Sequence, residues 1–157
     1  MNSNKKKILI LGVGNYLLKD EGVGVHIAKQ LMTMKLPSCV EVMDGGTIAY
    51  DLLPFIEGKD KLIVLDAIKA NDKPGSLYRF SPHDINLLSS KKISLHQVEL
   101  LDILNIAEIT AHLPETIIFG VEPKEINFSL ELSSEVKEVI PKVIELVLQE
   151  VQCTNYP

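Results

Sequence analysis

Lys7 to Val25 reads K-I-L-I-L-G-V-G-N-Y-L-L-K-D-E-G-V-G-V, and this stretch decides how the rest of the chain is read. An apolar run, Ile8 to Val13, ends at Gly12 and Gly14, and a polar loop then delivers Asp20 and Glu21 before a helical pattern begins. The order is a buried strand, a glycine turn, two carboxylates and a helix. Glycines just after a strand let the backbone turn sharply and let a ligand or a second backbone come close, because no Cβ intervenes. In open parallel sheets, ligands bind in the crevice beyond the carboxyl ends of the strands. Asp20 and Glu21 therefore stand where chemistry usually sits, although two acids opening a helix are also what its positive dipole end favours.

Working outward, Val23, Ile27, Ala28 and Leu31 recur at helical spacing, which predicts a helix over Gly22 to Met34 with one face on the sheet. His26 falls between the apolar positions and reads as a surface histidine. Val40 to Met43 predicts a second strand, ending in Asp44-Gly45-Gly46-Thr47. Ile48, Leu52, Phe55 and Ile56 share one face of a predicted helix that stops near Gly58, with Pro54 making its last turn irregular. Lys61 to Ala67, K-L-I-V-L-D-A, is apolar on both faces, as a central parallel strand should be. Its Asp66 is costly to bury without a partner, so the carboxylate either caps a local turn or coordinates a ligand.

Asn71 to Gly75 predicts a turn, Ser76 to Phe80 a strand nearer the edge, and Ser81 to Lys92 a loop with some helix in which His83 is exposed. Ser94 reads as the N-cap of a helix over Leu95 to Ala107. His96, Leu100, Ile103 and Leu104 stand at i, i+4, i+7 and i+8, which puts His96 on the inner face in the first turn. The positive helix end disfavours its protonation, and a neutral imidazole is a metal ligand; a lone histidine packed at a helix start is equally common. Thr116 to Val121 predicts another apolar strand, and Val136 to Val151 carries a long helical stripe interrupted by Pro141, where a kink or restart is expected. Strands and helices that alternate in this way imply a single-domain α/β three-layer sandwich over residues 1–157, a mostly parallel twisted sheet with helices on both faces.

Bulk composition narrows the partners. The chain of 157 residues is 46% hydrophobic and 24% charged, which suits one globular domain. A net charge of -5 argues against nucleic acid or an anionic membrane as partner, and no run approaches the ~20 apolar residues that span a bilayer. Cys39 and Cys153 are far apart, so neither a zinc knuckle nor a disulfide framework is expected, and a cytoplasmic location follows.

Glu21, Asp66 and His96 stand out as a set. They are 45 and 30 residues apart, but a parallel sheet would bring both carboxylates to one carboxyl edge and could start the His96 helix there too. Two carboxylates and one imidazole suit a borderline divalent cation with positions left for water or substrate. The ordered motifs G-V-G-N-Y-L-L-K-D-E-G-V-G-V, D-G-G-T (Asp44 to Thr47), V-L-D-A (Val64 to Ala67) and S-L-H-Q (Ser94 to Gln97) resemble those of the hydrogenase maturation endopeptidases. That resemblance implies an endopeptidase that removes a C-terminal extension from a nickel-iron hydrogenase large-subunit precursor after nickel insertion. It implies Glu21, Asp66 and His96 as the metal-contacting and catalytic residues, nickel supplied by the substrate, and no organic cofactor. Asp44 is a weaker candidate for substrate binding. Two other readings compete: a nickel-sensing assembly factor that does not cut, and a dinucleotide-binding oxidoreductase. The second is weakened because Leu17 occupies the third glycine position of G-x-G-x-x-G.

Overall fold

The computed structural model describes residues 5–47, 50–87, 95–110 and 112–152, and within these the side chains at 50, 85–87, 95–101 and 103 lie outside the described set. Five strands form one sheet: β1 (Ile8–Val13), β2 (Val40–Gly46), β3 (Lys61–Ala67), β4 (Leu77–Phe80) and β5 (Glu115–Val121), in the spatial order β2-β1-β3-β5-β4. All pairings are parallel except β4 with β5. The helices are α1 (Val23–Met32), α2 (Leu53–Ile56), α3 (Leu95–Thr110) and α4 (Ser134–Glu150), with 3-10 turns at Lys19–Gly22, Tyr50–Leu52 and Pro82–Leu87.

Side-chain alternation along the strands builds two cores. Ile8, Ile10, Ile63, Leu65, Ile117 and Phe119 point to the face covered by α1 and α4. Leu9, Leu11, Leu62, Val64 and Ile118 point to the other face, against Leu52 and Ile56 around α2 and Leu104 of α3. Every residue of β1 and β3 is buried, which is why both read as continuous apolar runs. Burying each large aliphatic side chain contributes about 1.5–3 kcal/mol. The three-layer sandwich expected from the sequence is therefore the observed fold.

The amino edge of the sheet is tied to the end of α4 by a charged cluster. Lys61 Nζ donates to the Glu150 backbone carbonyl at 3.1 Å and to its carboxylate at 2.8 Å, while Arg79 Nη2 reaches the other carboxylate oxygen at 2.6 Å. Burial pushes the Glu150 carboxyl up, but Lys61 and Arg79 outweigh it and hold the group below the usual range. A lysine on the last carbonyls also complements the negative helix end.

Several local expectations change. Strand β2 runs on through Asp44 to Gly46 because it continues to pair with β1 as far as Val13. The predicted helix over Ile48 to Ile56 is a 3-10 turn followed by a short α2, with Pro54 at its start rather than in its last turn. There the missing N–H costs nothing. Phe55 is exposed, whereas Leu52 and Ile56 are buried; Ile48 lies outside the described residues. Pro141 lies inside one continuous α4. It faces solvent, as does Lys137, the residue whose carbonyl loses its partner. Burial of Val136, Ile140, Val143 and Val147 on the inner side offsets the ~3 kcal/mol that a proline costs in a helix. Cys39 is disulfide-bonded, against the expectation from sequence spacing. The only other cysteine, Cys153, lies outside the described residues.

Candidate active site

The carboxyl ends of the parallel strands gather the acids. In register, Gly12 of β1 lies between Asp44 of β2 and Leu65 of β3, and Asp66 lies beside Gly120 of β5. Beyond β1 the chain must leave the sheet and double back toward Asp66, and Gly14 makes that possible. Its φ is +128°, a Cβ built on it would lie 2.1 Å from the Glu21 carbonyl oxygen, and the same Cβ would be 3.7 Å from Asp66 Oδ1. Gly14 is thus the spacer between the turn that carries Glu21 and the carboxylate of Asp66. Its N–H donates to the Gly46 carbonyl at 2.9 Å, tying the same corner to the end of β2.

Asp66 is 2% exposed. Its parity along β3 matches Leu62 and Val64, so it lies on the face covered by α2 and α3. Oδ1 accepts the N–H of Ala67, the next residue of the same strand, at 2.8 Å. Glu21 is half-buried in the 3-10 turn and donates its N–H to the Leu18 carbonyl at 3.2 Å. Residue 96 lies in the first turn of α3, while its side chain is outside the described set, as is Ser94, the expected N-cap. The topology still orients the helix. Thr110, its last residue, precedes the start of β5 at Glu115 by a few residues, so α3 ends near the amino edge of the sheet, and its Leu104 packs on the face that holds Asp66. Among the described residues, no three His, Cys, Asp or Glu side chains form a group that could hold a metal.

Asp44 sits at the rim of the same edge and is exposed. Oδ1 accepts the Gly46 N–H at 3.0 Å, and Oδ2 is 3.9 Å from Lys29 Nζ. His83 and His112 are exposed, as the sequence suggests for the first of them.

Three features were not visible in the sequence. Asp20 is fully buried and accepts from the N–H groups of Lys124, Glu125 and Ser133 at 2.9, 3.0 and 2.8 Å and from the Ser133 hydroxyl at 2.8 Å. It clamps the 3-10 turn to the loop after β5 and to the N-cap of α4. Glu122, 3% exposed, accepts from Ala70 N–H and from the Tyr78 hydroxyl, each at 2.8 Å. Burial and that carboxylate push the Tyr78 hydroxyl's pKa up. His26, read from the sequence as a surface residue, is half-buried: its Nε2 is shielded from solvent, and burial together with Lys29 pushes the imidazole's pKa down. No periodicity marks any of these, because their partners are backbone groups or rings distant in sequence.

Beside the Glu21 turn, Leu18 bridges Ser129 in parallel, with Ser129 N–H donating to Leu17 O at 3.0 Å and Lys19 N–H to Ser129 O at 2.9 Å. Leu17, Ile126, Phe128 and Leu130 are all exposed on these paired segments.

The fold and this edge define a doubly wound α/β protein that gathers carboxylates at the ends of its parallel strands. The hydrogenase maturation protease family model matches residues 25–150. Hydrogenase 2 maturation protease of Escherichia coli is 37% identical over 145 residues, covering 90% of this chain and 88% of that protein. The hydrogenase expression/formation protein HupD of Rhizobium leguminosarum is 33% identical, covering 91% and 73%. Among solved structures, the hydrogenase maturating endopeptidase HybD from E. coli superposes with a TM-score of 0.86 at 36% identity, covering 93% and 92% of the two chains. The NiFe hydrogenase maturation protease HybD from Thermococcus kodakarensis gives 0.80 at 28% identity, covering 93% and 99%. The chain belongs to the hydrogenase maturation protease family and is a peptidase of that kind.

Proposed function

We propose that this peptidase removes the C-terminal extension of a nickel-iron hydrogenase large-subunit precursor once nickel has been inserted, and that it recognises the nickel held by that substrate. The observation that carries the reading is the corner at Gly14, flanked on one side by the Glu21 turn and on the other by the buried Asp66 carboxylate. Glu21, Asp66 and His96 are the groups we assign to the nickel, with α3 delivering residue 96 from the face on which Asp66 lies. A metal held this way reports that assembly is complete and fixes the scissile bond near the edge. Its polarisation of the scissile carbonyl, or of an attacking water, lowers the hydrolytic barrier. No organic cofactor has a part in this scheme. Asp44, at the rim, is assigned to contact with the bound polypeptide. The exposed apolar side chains of Leu17, Ile126, Phe128 and Leu130 beside the Glu21 turn favour a polypeptide over a small-molecule substrate.

Gly12, which suggested a dinucleotide loop, has another use here. A Cβ on it would meet the Gly24 carbonyl oxygen at 2.3 Å and the Ala28 Cβ at 2.6 Å, so it lets α1 lie against β1. No helix of the described residues is long and apolar enough to cross a membrane. A cytoplasmic place of action belongs to the same proposal and is checked by cell fractionation.

Incubation with nickel-loaded precursor, followed by mass spectrometry, tests the assignment. Wild-type protein should shorten the precursor, and Glu21→Gln, Asp66→Asn and His96→Ala should each leave its mass unchanged. Full cleavage by all three variants would sink the site. A wild-type protein that binds the loaded precursor yet never shortens it would favour a non-cleaving assembly factor.

A further inference from the structure

We propose that Tyr16 and His26 form a latch that holds the Glu21 turn against α1, a positioning pair for the reaction rather than part of its chemistry. The inference rests on the reading of Glu21 as a contact to the substrate's nickel. The two rings stack with centroids 4.4 Å apart and planes inclined at 31°. His26 belongs to α1, whereas Tyr16 lies in the loop between β1 and the 3-10 turn, so the stack crosses from the helix to the segment that must present Glu21. Tyr16 is itself built into that segment. A Cβ on Gly22, the residue after Glu21, would lie 2.8 Å from Tyr16 Cα and 3.0 Å from the Asn15 carbonyl oxygen. Asn15 Oδ1 accepts Leu17 N–H at 3.0 Å, Asn15 O accepts Leu18 N–H at 3.1 Å, and Leu18 O accepts Glu21 N–H at 3.2 Å. A displacement of the Tyr16 ring is therefore transmitted through two short turns to Glu21.

Among the described residues the His26 Nε2, shielded from solvent, has no hydrogen-bond partner, so that side of the ring is held by packing. Lys29 Nζ lies 5.1 Å from the Tyr16 ring centroid and 3.9 Å from Asp44 Oδ2, which extends the cluster to the end of β2. Burial and Lys29 favour the neutral imidazole, the form that tolerates such a setting.

The latch is tested on the full-length protein with His26→Ala, Tyr16→Ala, the double variant and His26→Phe. Amide hydrogen exchange at Leu18 and Glu21, bonded within the segment, and at Lys19 and Asp20, bonded to the Ser129 and Glu125 carbonyls, should quicken about fivefold to tenfold in each alanine variant, while β3 amides are unchanged. His26→Phe keeps a ring and should restore exchange to within about twofold of wild type. Cleavage of nickel-loaded precursor should fall by a similar factor in kcat/KM for either alanine variant, with the double variant no worse than the single ones and His26→Phe rescued, because two halves of one contact are not additive. Unchanged exchange in His26→Ala, or an additive double variant, would overturn the latch. Faster loop exchange in the alanine variants, together with no cleavage by wild-type protein, would support the latch and overturn the functional reading.

Discussion

Asp20 and Glu21 are neighbours of similar chemistry with opposite fates. Asp20 is fully buried and saturated by three backbone N–H groups and one hydroxyl, whereas Glu21 remains half-buried at the edge. A carboxylate accepting several N–H bonds is strongly held, and removing it leaves those donors buried without an acceptor. Asp20→Ala should therefore destabilise the fold by about 3 kcal/mol, lowering the melting temperature by roughly 6–12 °C in calorimetry. A shift near zero would show that water takes over its bonds. The sequence placed the pair where chemistry usually sits, and the family resemblance gave the metal contact to Glu21 and not to Asp20. The clamp that Asp20 makes depends on donors more than 100 residues downstream, which no local pattern encodes.

At the scale of elements, close packing of α1 on the sheet decides where the 3-10 turn can sit. A Cβ on Gly24 would lie 2.0 Å from the Leu65 carbonyl oxygen and 2.6 Å from that of Val13, so even one methyl forces the helix away from β1 and β3. Gly24→Ala should cost at least about 3 kcal/mol by overpacking, measured as a lower urea midpoint with an unchanged slope. A neutral result would mean that α1 can shift without loss. The helical periods of α1 and α4 and the apolar runs of β1, β3 and β5 were legible because burial imposes them residue by residue. The α2 region was read as too long. Its short helix is set by how the chain crosses from β2 to β3, and a pattern of four apolar residues does not register that.

Across the whole molecule, β1, β3 and β5 each have partners on both sides, while β2 and β4 are edges. Exchange protection should follow that order, with β3 amides slowest and β4 among the fastest of the sheet, read by amide exchange under native conditions. Slower exchange in β4 than in β3 would contradict the sheet order as the basis of stability. The same order explains the site. Parallel strands with right-handed crossovers put all their carboxyl ends on one edge, and the ends of β1 and β3, adjacent at the centre, carry Glu21's loop and Asp66.

By itself the sequence determined the α/β class, the three central strands, the three long helices and the acids at strand ends. Each follows from side-chain period, from backbone sterics at glycine or from the cost of burying charge, and all of these act over a few residues. Only the tertiary structure decided that Asp20 is a clamp, that Gly14 separates the Glu21 turn from Asp66, and that His26 stacks on Tyr16. Each of these joins chain segments distant in sequence, and such contacts exist only after the sheet has wound and the helices have packed on it.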